Sequence, residues 1–400
     1  MKQYRVDLHV HIGRDSRGEP VKISAARDLV FKNIAQRAHS SAGVQMVGIV
    51  DCASPRVLRD ISELLDSGHM SELEGGGIAY SEGAAEESTV IIGAELEASL
   101  PEGCSAHYMC FMPSIRAMQD FSSEVKRLVS NIDLSTQHVR MSPTELAKLT
   151  HDLDGLFVPS HVFTPHKGVL GACVPRIEQA MSEDGLELVN AIELGLSADT
   201  AMADTIAELA QFTFLSNSDA HSLPRIGREF NVMDMERPTF SELALALARR
   251  DGRGVRLNYG LDPRLGKYHL SGCDTCGARF SVQPGEPRVC PKCASHRVVV
   301  GVADRLAEIA DHPTPHSPPH RPEYRYQVPL QFIPGIGPAR IKALVREFGS
   351  ELAALHDAPF ERLARVVGDT LAGRIIDARS GALRLDAGGG GAYGRVSLED

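Results

Sequence analysis

Residues 4–15, YRVDLHVHIGRD, alternate as a strand does: Val6, Leu8, Val10 and Ile12 fall on one face, and Asp7, His9 and His11 on the other. An acid and two imidazoles on one strand face are costly for a core and natural for a metal site. The rhythm recurs through the first 260 residues. VQMVGIVD ends at Asp51, STVIIGAELE carries Glu95 and Glu97, GLFVPSH ends at His161, LVNAIELG contains Glu193, and FTFLSNSDAH ends at Asp219 and His221. Helix-like stretches such as KISAARDLVFKNIAQRAHSS and TAMADTIAELAQF lie between. Strands alternating with helices predict parallel strands. Repeated this often, they predict an α/β barrel whose site forms at the C-terminal strand ends.

The pattern changes after residue 260. Cys273-x2-Cys276 and Cys290-x2-Cys293 place two thiolate pairs in residues 267–300, the spacing of a closed tetrahedral zinc site. Cys52, Cys104, Cys110 and Cys173 are scattered, which fits a reducing compartment better than a disulfide framework. The Pro- and His-rich DHPTPHSPPHRPEY (311–324) reads as an extended, semi-rigid linker. In IPGIGPARIKAL, Gly335 and Gly337 allow a tight turn between short helices, with backbone N–H groups free to face an anion. Arg340 and Lys342, one turn on, suit neighbouring phosphates, as in a helix-hairpin-helix that grips the DNA backbone without reading sequence. The Gly-rich end reads as a flexible tail.

The expected organisation is a barrel over 1–262, a ribbon over 267–300, a helix and linker over 301–324, a helix-hairpin-helix domain over 325–383, and a tail over 384–400. The formal charge of −10 sits mostly in the first 260 residues, while residues 261–350 are mildly basic. An acidic body with a basic appendage is not an electrostatic DNA glove. No apolar run approaches the roughly 20 residues of a membrane span, and no basic-then-apolar leader precedes Asp7, so a cytoplasmic, nucleoid-associated protein with no membrane partner is expected.

DLHVH (His9, His11), GAELE (Glu95), PSHVF (His161) and SNSDAH (Asp219, His221) follow one another in the order that characterises the PHP (polymerase and histidinol phosphatase) superfamily, which the first 260 residues resemble. The resemblance implies a distorted (β/α)7 barrel with two or three divalent ions (Zn2+, Mg2+ or Mn2+). His107 in SAHYMCF would be the mid-domain ligand. Many members carry Asp-His after the second strand, where this chain has Asp51-Cys52. The third ion is therefore assigned to Asp51, Asp15 and His221, with Cys52 as the alternative. Asp219, with Glu95 and His161, is the expected catalytic centre. Arg14, Lys167, Arg225 and Arg228 are candidate phosphate partners.

Barrel, four-cysteine zinc ribbon and helix-hairpin-helix, together with KISAARDL, VGIVDCASP, PSHVFTPHKG and IGREF, resemble the endonuclease Q family over about residues 4–380. The resemblance implies cleavage of the phosphodiester 5′ of a deaminated base (uracil, hypoxanthine, xanthine) or an abasic site. The damaged nucleotide would leave the stack, with the VFTPHKGVLG and HSLPRIGRE loops expected to line its pocket. Damaged DNA is the expected partner. A sliding clamp is a second candidate, although the tail carries no convincing clamp-binding peptide. Two alternatives remain. A PHP-type phosphoesterase or 3′ exonuclease would not need residues 265–380. A non-catalytic DNA-binding protein with a decayed barrel would show no metal-dependent turnover.

Overall fold

The computed structural model describes residues 1–81, 88–100 and 103–397. Seven strands form the barrel wall: Lys2–Val10, Met46–Ile49, Ser88–Ser99, Ser105–Met112, Leu156–Pro159, Ala191–Glu193 and Thr213–Leu215. The first three pair parallel, with Val6 opposite Met46 and Val47 opposite Val90. The wall closes irregularly. The Val162 amide donates to the Glu193 carbonyl (2.8 Å), and the His11 amide to the Ala220 carbonyl (3.0 Å). Val6, Leu8, Val10 and Ile12 are all fully buried, so apolar packing fills one face of the first strand while histidines occupy the other.

The third and fourth strands depart from the expected parallel order. Ser88–Ser99 folds back on Ser105–Met112 as an antiparallel hairpin, with Glu97 opposite His107. Leu156–Pro159 then pairs antiparallel with the second arm. The hairpin connection is too short for a crossover helix. It sets Glu95 and His107 on one face.

Two expected helices are also broken. Residues 22–30 of the KISAARDL stretch are irregular, and the α-helix spans only Phe31–Arg37 before a wider π turn at Ala38–Ala42. Here the Lys22 amide donates to the Ile12 carbonyl (2.9 Å), tying the segment to the strand end instead of to a helical neighbour. Gly13 permits this close approach, because a Cβ there would collide with the Ala26 carbonyl. In TAMADTIAELAQF the helix stops at Ala203, and Arg321 takes the Leu209 and Phe212 carbonyls (3.1 and 2.7 Å).

Arg321 also corrects the linker. It pairs with Asp204 at 3.0 Å, and the amides of His312 and His316 donate to the Thr205 and Asp204 carbonyls. The proline-rich segment is thus a strap docked on the barrel. Its end, Glu323–Gln327, adds a parallel edge strand beside Gly254–Leu261, so the large sheet reaches past residue 324. The ribbon is a small three-stranded sheet (Ser271–Cys273, Arg279–Phe280, Val298–Val299). Beyond it, helices Pro338–Phe348, Phe360–Val367 and Asp369–Ser380 surround a separate apolar core that includes Ile333, Leu344, Leu363 and Ile375.

The tail also differs from expectation. Leu385–Asp386 pairs with Arg395–Val396, the Gly388 amide donates to the Arg264 carbonyl (2.7 Å), and the Tyr393 hydroxyl accepts from Arg228 (3.2 Å). Side-chain-free glycines let the tail backbone lie against the ribbon, so residues 384–397 are packed structure, and 398–400 fall outside the described residues.

Candidate metal centre

Two groups of donors converge inside the barrel, His9–His11–Asp219 and Glu95–His107–His161. In the first, the Nε2 atoms of His9 and His11 are 3.3 Å apart and lie 3.7 and 3.6 Å from Asp219 Oδ1. In the second, Glu95 Oε1 is 3.3 Å from both His107 Nδ1 and His161 Nε2. A tetrahedral ion with bonds of about 2.0–2.1 Å has ligands roughly 3.3–3.4 Å apart. Glu95 links the groups, its two oxygens lying 3.5 Å from His9 and His11 respectively. Glu95 Oε1 and His107 Nδ1 are buried without a hydrogen-bond partner, as expected of lone pairs directed at a cation. The two groups would suit divalent ions, with Glu95 placed between them.

The charge balance agrees. Burial works against a charged His9, yet Glu193, Glu95 and Asp219 outweigh it and raise its pKa to about 10. Burial likewise opposes the Asp219 carboxylate, and the imidazoles of His9, His221 and His11 hold it below the usual range regardless. Burial brings His221 down to about 4, leaving that ring neutral at neutral pH. The pocket is short of positive charge, and bound divalent cations would redress it.

The backbone presents these donors under strain. His161 and Asp219 have φ of 29° and 43°, a left-handed region that non-glycine residues rarely adopt. Asp219 is held by its neighbours: Arg228 donates to the Ser218 carbonyl (2.7 Å) and the Asp219 carbonyl (3.3 Å). Arg228, a candidate phosphate partner by sequence, is buried and serves the loop. Arg225 stacks over Tyr393, and Arg14 donates to the Gly18 carbonyl. Of the four candidates only Lys167 reaches the cavity, where Glu97 and Ser105 hold it at 2.7 and 2.8 Å.

The expected third set is not brought together. Asp15 accepts from Arg59 (3.0 Å) and from the amides of Arg17 and Glu19. Asp51 is spent on the Ile12 amide (2.6 Å), on His11 Nδ1 (3.1 Å) and on the Ser135 hydroxyl. Asp15, Asp51 and His221 therefore do not form a donor group among the described residues. Cys52 is buried, its thiol donates to the Ile49 carbonyl, and burial lifts its pKa, so it offers no thiolate.

Several residues below the donors have no role assigned by the sequence. Glu193 faces His9 Nδ1 with both oxygens at 3.0 Å and also accepts from the His161 amide and Asn217. Asp7, on the histidine face, accepts from the amides of Ser218 (3.0 Å) and Gly227 (2.9 Å) and thereby pins the Asp219 loop. The cavity above, about 220 Å3, is also lined by Thr164, His166, Lys267 and Tyr268. The VFTPHKGVLG loop thus lines this cavity, whereas of HSLPRIGRE only His221 reaches its wall.

In the ribbon the four thiols gather with Cys273–Cys293 and Cys276–Cys290 sulfurs 3.6 Å apart, suited to one structural ion. Cys104 and Cys173 are instead joined as a disulfide, which corrects their reading as scattered thiols: the hairpin arm at Ser105 brings together two residues 69 apart in sequence. In the C-terminal unit Gly335 has φ of 93°, and a Cβ there would meet Leu371 at 2.9 Å. Arg340 donates to the Gly335 carbonyl (2.6 Å), closing the turn, while Lys342 is exposed. A second hairpin, turning at Gly368 (φ 86°), was missed, although its glycine between two helical patterns signalled it. Among the described residues no helix is long and apolar enough to cross a membrane.

Residues 328–379 match the family described as SAM-like helix-hairpin-helix tandem, which accounts for both hairpins. The chain is 42% identical over 403 residues to YqxK of Bacillus subtilis, covering 99% of this chain and 100% of that protein. It is similar to the lesion-specific endonuclease PfuEndoQ from Pyrococcus furiosus, with a TM-score of 0.82, 31% identity, and coverage of 100% of this chain and 96% of that one. It also matches an endonuclease Q held in complex with a 27-mer duplex carrying an abasic lesion at the active site (TM-score 0.84, 31% identity, 100% and 97% coverage). Barrel, ribbon and hairpins are shared in a single alignment along the whole chain, and on that basis the chain belongs to the endonuclease Q family.

Proposed function

We propose that this chain is a DNA repair endonuclease that hydrolyses the phosphodiester immediately 5′ of a deaminated base or an abasic site, leaving a 3′-hydroxyl and a 5′-phosphate. The observation that carries the reading is Glu95 standing between two imidazole-containing donor groups at the floor of an open cavity. Divalent ions held there would supply Lewis acidity toward the phosphoryl oxygens and a nucleophile available at neutral pH.

The chain's own groups prepare that chemistry. His9 Nδ1–H donates to Glu193, which leaves Nε2 as the ring nitrogen turned toward the site and able to hold an ion. Glu95 and Asp219 remain carboxylates and offset the bound cations. Above them, His166 and Tyr268 form an edge-to-face pair with ring centroids 5.1 Å apart, and Lys267 lies 5.0 Å from the tyrosine ring. An aromatic wall beside a cation suits a base taken out of the duplex, and a deaminated or mismatched base is easier to extrude. Phosphate contacts from the hairpin domain would add affinity without sequence preference.

Lys267 and Tyr268 belong to the segment leading into the ribbon, so the cavity wall depends on residues beyond the barrel. This favours the endonuclease over a small-molecule phosphoesterase with dispensable appendages. Labelled duplexes carrying one dU, one hypoxanthine or no lesion, incubated with Mg2+ or Mn2+ and then with EDTA, test the reading. A single metal-dependent nick at the lesion supports it. Turnover of a free phosphomonoester without DNA cutting, or degradation from the 3′ end, would replace it.

A further inference from the structure

A lysine lies beside two of the residues expected to hold a third ion, Asp51 and His221. Lys22 Nζ lies 3.5 Å from Glu95 Oε2, 3.4 Å from His11 Nε2 and 2.5 Å from the Thr136 hydroxyl, which in turn donates to Glu95 Oε2 (2.9 Å). Its side chain is only 16% exposed and lines the cavity. It is also close enough to act electrostatically on Asp51 and His221, two of the residues expected to hold that ion.

The placement is built into the backbone. The amides of Val21 and Lys22 donate to the carbonyls of Gly13 and Ile12, and the Ser135 amide donates to the Val21 carbonyl. Lys22 is therefore held between the end of the histidine strand and the segment that carries Thr136. The carboxylates that would complete a third site are committed elsewhere, Asp15 to Arg59 and Asp51 to His11 and the Ile12 amide. A divalent ion added beside an ammonium, without those carboxylates, would meet repulsion with no compensating ligands.

We propose that Lys22 supplies the third positive charge of this centre: the barrel takes two divalent ions, and the Lys22 ammonium stands in for a third, contacting a non-bridging oxygen of the scissile phosphate. This rests on the phosphodiesterase reading above. In that reaction water adds to phosphorus, the P–O3′ bond breaks, and a proton from the water ends on O3′. Lys22 takes no part in the proton transfer and faces the phosphoryl oxygen throughout.

The test is metal content together with single-turnover cutting, on the full chain reconstituted with excess metal and desalted. Elemental analysis of the wild type should find three ions per chain, matching the two barrel groups and the one cysteine group. Lys22→Ala should keep three ions and bind an abasic duplex as the wild type does, but cut it about 100- to 1,000-fold more slowly, with Lys22→Arg recovering part of the rate. Lys22→Met, which keeps the apolar stem, serves if the alanine variant does not fold. Four ions in the wild type, loss of barrel metal in the variants, or cutting by Lys22→Met or Lys22→Ala within a few-fold of wild type would each overturn the proposal. Should the wild type cut no lesion duplex at all, the phosphodiesterase reading falls, and the count of three or four ions still decides what Lys22 replaces.

Discussion

Glu193 holds His9 by both carboxylate oxygens, each 3.0 Å from Nδ1, from a strand 184 positions away in the chain. The pair fixes the ring's tautomer and turns Nε2 toward Asp219 and Glu95. Replacing Glu193 with Ala removes that anchor while leaving every donor in place. Metal affinity should fall about 10- to 100-fold, read by competition with a chromophoric chelator. An unchanged affinity would mean that Glu193 only fills space.

A second buried carboxylate contributes to the response to pH. Burial raises Glu229 to about 8 from 4.5, so it stays protonated in the folded chain where an unfolded chain has lost the proton. At this group the folded state binds more protons between those values, so the Glu229 contribution to stability declines as pH rises from about 4.5 to 8. Glu229→Gln should flatten that decline, with a gain on the order of a few kcal/mol at the alkaline end. Urea unfolding of metal-saturated protein at pH 5 and pH 8 measures it. Equal slopes for wild type and variant would contradict this assignment.

The Cys104–Cys173 disulfide ties the start of the Ser105–Met112 strand to the turn at Val169–Cys173, next to the Lys167–Ser105–Glu97 contacts. Denatured, metal-stripped and unreduced protein should show only the six thiols of Cys52, Cys110, Cys273, Cys276, Cys290 and Cys293. Breaking the bond by Cys104→Ser should cost about 2–4 kcal/mol of stability. Titration of eight thiols without reductant would show the two cysteines free.

The hairpin domain should act through charge. Lys342, exposed one turn into the Pro338–Phe348 helix, should add to affinity equally for damaged and intact duplex. Lys342→Ala is expected to weaken both in parallel and to reduce the salt slope of binding by about one. Gel-shift titrations at several salt concentrations give both quantities. A loss confined to the lesion duplex would place Lys342 at the damage pocket instead.

Much of the centre was legible because it is written locally. His9 and His11 share a strand face two residues apart, and the cysteine knuckles declare their geometry by spacing alone. Asp7 and Glu193 were legible as polar strand positions but not in their roles, and Lys22 was not legible as a site residue, because each acts on a partner brought in by the barrel's closure. Lys22 in particular reads as the first residue of an amphipathic helix, and only its pairing with Ile12 shows otherwise. The same reason hid the disulfide, the docked proline strap and the packed tail. The pairs that make them (Cys104 with Cys173, Arg321 with Asp204, Arg228 with Tyr393) lie far apart in sequence and exert no periodic signal. Asp51 and Asp15 misled in the opposite direction, since an acid after a strand looks like a ligand whether or not a neighbouring amide or arginine has claimed it.

The most direct measurement maps the cut on a duplex with one abasic site, comparing wild type and Asp219→Asn at equal DNA occupancy. The wild type should nick once, immediately 5′ of the lesion, leave a polymerase-extendable 3′-hydroxyl, and stop when EDTA is added. Asp219→Asn should bind the duplex and leave it whole. Cutting that survives either EDTA or the Asp219 substitution would contradict the assignment of this barrel centre as the nuclease site.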